Sequence, residues 1–186
     1  DYYALGYVAY PETEEATAKT LEYAYDDWCA YRLAKMTGNE FYADVFARQM
    51  YNYKNVFNPD RGFMMGRDRQ GNWNYEHDEF GWAGPFTEGC AWHYLWSVFH
   101  DPQGLKELLG GDREMIAKMD SVWSVTNEFN PGWRVDTIHE MTEMKLINMG
   151  QYAHGNQPMQ HFIYLYNYTS EPWKAQKWAR EAMTRL

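Results

Sequence analysis

Two cysteines, Cys29 and Cys90, are too few for a disulfide framework, so redox compartment stays open. Basic runs are also missing. With a formal charge of −9 and no Lys/Arg stretch to follow a phosphate backbone, the chain lacks the footprint of a nucleic-acid binder. No apolar run approaches the ~20 residues that a membrane-spanning helix needs. No leader precedes Asp1, which says little in a chain expected to begin in mid-sequence. A convincing alternating strand pattern is absent as well, which leaves helices to bury the core. What the sequence has in excess is aromatic side chains, 18% of residues with 16 Tyr and 9 Trp. Such faces line sugar sites and also fill ordinary cores.

The apolar spacing is helical. Leu21, Ala24, Tyr25, Trp28, Cys29, Leu33 and Met36 recur at three- and four-residue steps between Glu14 and Met36, which predicts a helix with a broad buried face. Thr37-Gly38 stops it and Asn39 caps a second helix, expected to run to about Phe57. The stretch from Gly62 to Phe86 has five glycines and no steady period, so it reads as a long ordered loop, usually a functional one. A stripe of Trp92, Leu95, Trp96 and Phe99 follows, which predicts a helix with Glu88 in its first turn. Asp101-Pro102 would close it, Leu105 to Leu109 make a short helix, and Asp112 cap the one carrying Met115, Met119, Val122 and Trp123. Ile138 to Met149, the stretch from Pro158, and the stretch from Pro172 with Ala175, Ala179, Ala182, Met183 and Leu186 on one face complete the set. The class is all-α, built of helical hairpins with loops of very unequal length.

The densest chemistry lies in Gly150 to His161, reading G-Q-Y-A-H-G-N-Q-P-M-Q-H, with Thr137 to Glu143 upstream. Asn156-Gln157-Pro158 reads as a capped helix start. Glu140 and Glu143, at i, i+3, would share a helix face, and carboxylates converging with amide oxygens suit a hard cation such as calcium. A solvated acidic face is the plainer alternative. His139-Glu140-Met141-Thr142-Glu143 resembles the zinc-peptidase H-E-x-x-H helix but has Glu143 where the second histidine belongs, so a zinc-dependent hydrolase would need His154 or His161. Cys90 beside His93 could be a thiol nucleophile, although packing explains it better. Asp26-Asp27 sits mid-helix, and a role for either in a site is the lesser reading.

Seven blocks then match a known family: L-E-Y-A-Y-D-D-W (Leu21 to Trp28), Y-K-N-V-F-N-P-D-R-G-F-M (Tyr53 to Met64), T-E-G-C-A-W-H-Y (Thr87 to Tyr94), H-D-P-Q-G-L (His100 to Leu105), I-H-E-M-T-E-M (Ile138 to Met144), G-Q-Y-A-H-G-N-Q-P (Gly150 to Pro158), and Y-L-Y-N-Y with P-W-K-A-Q (Tyr164 to Gln176). From about Gly6 to Leu186 the chain resembles glycoside hydrolase family 92, the calcium-dependent exo-acting α-mannosidases. Gln157 departs from the Glu found in many members, and Cys90 from the usual Asn.

The resemblance implies a partial (α/α)6 toroid, residues 1–186 forming a single segment of it, incomplete at both ends, that packs with an N-terminal β-sandwich and the rest of the toroid in a larger enzyme. It implies hydrolysis of terminal α-linked mannose from glycans with inversion, assisted by Ca2+. By the T-E-G match Glu88 would be the general acid, and by the H-E-M-T-E-M match His139 and Glu140 would hold the terminal mannose, with Trp82 and His154 also on the substrate; the oxygen-rich cluster of Glu140, Glu143, Asn156 and Gln157 is where the metal is expected. A periplasmic, cell-surface or secreted location would follow.

A helix N-terminus favours a charged carboxylate, so an acid placed there would need burial among Trp82, Phe86 and Trp92 to keep its proton. The family's catalytic base comes from an acidic motif beyond the last helix, and none is present. By the same resemblance a closed toroid needs about twelve helices, and the periodicity yields at most about seven. The alternative from a different class is therefore a carbohydrate-binding or inactive helical fragment.

Overall fold

The computed structural model describes residues 2–132 and 136–185. Leu186 and part of the expected loop from Asn127 to Asp136 lie outside the described residues. Among those described, the α-helices are α1 (Tyr2–Leu5), α2 (Ala16–Thr37), α3 (Glu40–Gln49), α4 (Ala91–Tyr94), α5 (Pro102–Leu108), α6 (Asp112–Val122), α7 (His139–Ile147), α8 (Gln157–Gln160) and α9 (Trp173–Arg185). Two 3-10 segments, Asn52–Val56 and Phe162–Tyr168, extend α3 and α8 in looser form. The fold is the all-α one expected, part of a toroid of helical hairpins.

The α2–α3 hairpin forms where the sequence signals it. Gly38 takes the left-handed conformation (φ 71°) and donates to Ala34 and Lys35, while the Asn39 side chain accepts from Tyr42 N at 3.3 Å. The buried face is narrower than the periodicity predicts. Leu21, Ala24 and Ala34 are buried, but Leu33 and Met36 are 61% and 82% exposed. The far half of α2 carries those two residues to the outside, away from the core that holds its near half.

One correction concerns strands. Asn58 to Gly62 closes a two-residue antiparallel pair, β1 (Phe57–Asn58) and β2 (Phe63–Met64), with Phe57 opposite Met64. The Asn58 side-chain oxygen accepts the amides of Asp60 and Arg61, an Asx turn that fixes the hairpin too briefly for an alternation to register. A second correction concerns the stripe from Trp92 to Phe99. Only Ala91–Tyr94 is helical; Leu95, Trp96 and Val98 are wholly buried, and His161 Nε2 takes the Trp96 carbonyl at 2.6 Å. A run that is buried on every side has no single face for periodicity to report. Asp101-Pro102 opens α5 instead of closing its predecessor, with Asp101 accepting from Gly104 N at 2.9 Å.

The core continues across α6, the second 3-10 segment and α9. Trp123 stacks on Trp178 (4.1 Å between centroids), and the buried Tyr166 hydroxyl donates to Asp120 and accepts from Trp123 Nε1. Ala175 and Ala182 turn inward on α9, whereas Met183 is exposed.

Candidate active site

Helix α2 begins without a side-chain cap, and its orphan amides are satisfied by the end of the long loop. Glu15 N donates to the Gly84 carbonyl at 2.8 Å, and Thr17 N and Ala18 N both reach the Pro85 carbonyl at 3.0 and 3.1 Å. The longest helix thus grips the chain just before Thr87-Glu88-Gly89. Glu88 itself is not in a helix. It precedes the N-cap Cys90 by two residues, is exposed, and has φ 47°, a left-handed conformation that costs a non-glycine residue about 1–2 kcal/mol. Both the helix dipole and the expected burial among Trp82, Phe86 and Trp92 therefore drop out of its account.

Two side chains hold this turn. Tyr94 Oη donates to the Thr87 carbonyl at 2.6 Å, and Asn156 Nδ2 donates to the Glu88 carbonyl at 2.6 Å. The Tyr94 ring stacks on Phe86, 5.2 Å between centroids and 19° apart. Gly89 allows that placement, since a Cβ there would stand 2.9 Å from Tyr94 Cε2. From below, Cys90 N donates to His93 Nδ1, which leaves Nε2–H to donate to the Gln151 carbonyl at 3.1 Å. Burial pushes the Cys90 thiol up to about 12, which removes it as a nucleophile.

Glu88, Asn156, Gln157 and Glu22 share a cavity of about 320 Å³ with Tyr94 and Ser97. Glu22 was missed by the sequence reading: it sits on α2 one turn before Asp26, and only the fold brings α2 beside Glu88. Partial desolvation, then the charge of Asp26, lifts its carboxyl above the usual range.

The other expected residues form a second cluster on α7. His139, exposed, lies 3.0 Å through Nδ1 from Glu143 Oε1 and 3.1 Å through Nε2 from Glu140 Oε1. Glu140 is the more sheltered carboxylate, its side chain 12% exposed against 47% for Glu143. Glu143 reaches the backbone next to the cavity-lining Asn156, because a Cβ on Gly155 would run into its Oε2. Asn156 occupies the expected cap position of α8 but makes no side-chain cap bond; its amide nitrogen is committed to Glu88, which turns Oδ1 elsewhere. Glu140, Glu143, Asn156 and Gln157 offer oxygen donors, the type a hard cation takes, and Glu143 stands against Gly155, the residue before Asn156. Among the described residues no three His, Cys, Asp or Glu side chains form a metal-holding group. His154 is half-buried, its Nδ1 2.7 Å from Tyr152 Oη. Trp82 is fully buried, edge-on to His93 at 4.7 Å, so it supports the turn from beneath and offers no open face.

Comparison with known proteins places the chain in a family. The model of the glycosyl hydrolase family 92 catalytic domain matches residues 1–186. An inverting mannosidase of that family from Bacteroides thetaiotaomicron is 54% identical over the whole chain, with a TM-score of 0.84. A second α-mannosidase from the same organism, solved with mannoimidazole, is 34% identical over 99% of the chain at a TM-score of 0.84. An uncharacterized secreted glycosidase of Arthroderma benhamiae is 25% identical over 133 residues, 58% of this chain. The chain spans 25% and 24% of the two solved relatives and 17% of the fungal one. No described helix is long and apolar enough to cross a membrane. By the match over residues 1–186, the chain belongs to glycosyl hydrolase family 92, as a stretch of its catalytic domain.

Proposed function

We propose that this chain carries the acid-bearing part of an inverting exo-α-mannosidase that removes terminal α-linked mannose from glycans outside the cytoplasm. The observation that carries the reading is Glu88: an exposed carboxylate on a costly backbone turn, facing a sugar-sized cavity, its neighbouring carbonyls each held by a donor. Strain of this kind persists where a site requires it. Glu88 protonates the glycosidic oxygen as the bond to the anomeric carbon breaks. His139 and Glu140 hold the terminal mannose, with His154 nearby, and Trp82 acts by supporting the turn. Glu140, Glu143, Asn156 and Gln157 would bind Ca2+, which supplies a Lewis-acidic point for adjacent sugar hydroxyls. The remainder of the same enzyme, a β-sandwich and the other toroid helices, completes the site.

The test is made in the full-length enzyme. Glu88→Gln should cut turnover of an α-linked mannose disaccharide by about 10²–10⁴-fold while largely sparing a mannoside with an activated aryl leaving group, which needs little protonation. Equal losses on both would remove Glu88 from the role.

A further inference from the structure

We propose that Tyr94 and Asn156 are positioning residues for the acid, a two-point clamp that fixes the Thr87–Glu88 backbone and so aims the Glu88 carboxyl into its cavity. The proposal rests on reading Glu88 as the general acid. Glu88 stands in the left-handed region with a side chain that has no intrinsic preference for it, so the conformation survives only if the surroundings over-determine it. Two donors from separate elements do so: the hydroxyl at the end of α4 on the Thr87 carbonyl and the amide before α8 on the Glu88 carbonyl, both at 2.6 Å. Both donors are themselves held. Tyr94 is 5% exposed and stacked on Phe86, and Asn156 is 2% exposed. Upstream, the amides of α2 fix the Gly84 and Pro85 carbonyls, so the chain arrives at Thr87 already registered and the clamp sets the last two peptide planes. Without it, the turn can relax toward ordinary φ values and swing the carboxyl away from the leaving oxygen. Small misplacements of a catalytic group are costly because the reacting geometry is narrow.

Tyr94→Phe removes only the hydroxyl and keeps the ring on Phe86. Asn156→Asp keeps an oxygen for a cation but replaces the donor facing the Glu88 carbonyl with an acceptor. In the full-length enzyme at saturating calcium each variant should lower kcat at least tenfold more on an α-linked mannose disaccharide than on an activated aryl mannoside, with KM values for both substrates moving less than about threefold in Tyr94→Phe, which touches no proposed calcium ligand. In the Glu88→Gln background, Tyr94→Phe should add little further loss on the disaccharide, because residues acting through one group are not additive. A merely structural role would reduce both substrates alike, or add its full effect to Glu88→Gln, and either result overturns the clamp. The two readings separate cleanly. Leaving-group dependence in Glu88→Gln without it in Tyr94→Phe and Asn156→Asp overturns the clamp alone, whereas its absence in Glu88→Gln overturns the acid assignment and the clamp with it.

Discussion

His93 supports the Thr87–Gly89 turn by staying neutral. It is fully buried, and each ring nitrogen is used in one tautomer, Nδ1 accepting from Cys90 N and Nε2 donating to the Gln151 carbonyl. Burial lowers its pKa from 6.5 to about 3, and burial also lowers those of His77, His100 and His161. An unfolded chain therefore takes up protons below 6.5 that the folded one refuses, so stability is full above that pH and is lost progressively as pH falls toward 3. His93 alone accounts for a few kcal/mol of that loss, to order of magnitude. The denaturant midpoint should decline steadily from pH 6.5 downward, and His93→Gln, which cannot titrate, should flatten the decline by about one proton's slope. An unchanged acid slope in that variant would count against buried neutral imidazole. The sequence made Glu88 visible through T-E-G but not its conformation: the partner of its carbonyl, Asn156, is 68 residues away, and no local pattern encodes that bond.

Helix ends were legible wherever a single residue does the work, as at Gly38, Asn39 and Pro172, and opaque where tertiary burial overrides periodicity, as after Tyr94. The same contrast runs through the candidate calcium site. Glu140 and Glu143 were read correctly onto one helix, α7, and Asn156 and Gln157 onto the start of α8, but the contact that relates the two elements is Glu143 against Gly155. A cation shared by both would cross-link α7 to the α8 start. Removing calcium with EGTA should then lower the thermal midpoint of the full-length enzyme, since a ligand at one hundred times its Kd stabilises by about 2.7 kcal/mol. Gln157→Glu adds a charged oxygen and should tighten calcium, and Gln157→Ala should weaken it. A midpoint indifferent to calcium up to millimolar levels, in wild type and both variants, would rule this cross-link out.

At the scale of the molecule, the α2–α3 hairpin presents Leu33, Met36, Phe41 and Tyr42 to solvent, 61%, 82%, 72% and 52% exposed, and Leu33 and Tyr42 line a cavity with Ala30, Ala34 and Phe46. The solved relatives are about four times as long as this chain, and the remaining toroid helices are the natural cover for such a surface. Catalysis needs more than cover. Inverting hydrolysis requires a second carboxylate about 6.5–9.5 Å from the acid, with room for a water between them. Among the described residues, the other carboxylate lining the Glu88 cavity is Glu22. Asp27 is engaged by the Tyr2 hydroxyl at 2.7 Å, Asp26 lines a different cavity, Asp78 accepts from Asn130, and Glu143 pairs with His139. Glu22 lies on the α2 wall, where partial desolvation and then the charge of Asp26 raise its carboxyl above the usual range. Without the rest of the proposed site, the 186-residue chain, purified alone and supplied with calcium, should release no mannose from an α-linked disaccharide, although it carries the proposed acid Glu88. Turnover comparable to a full-length homologue would overturn this, and its abolition by Glu22→Gln would then identify Glu22 as the base.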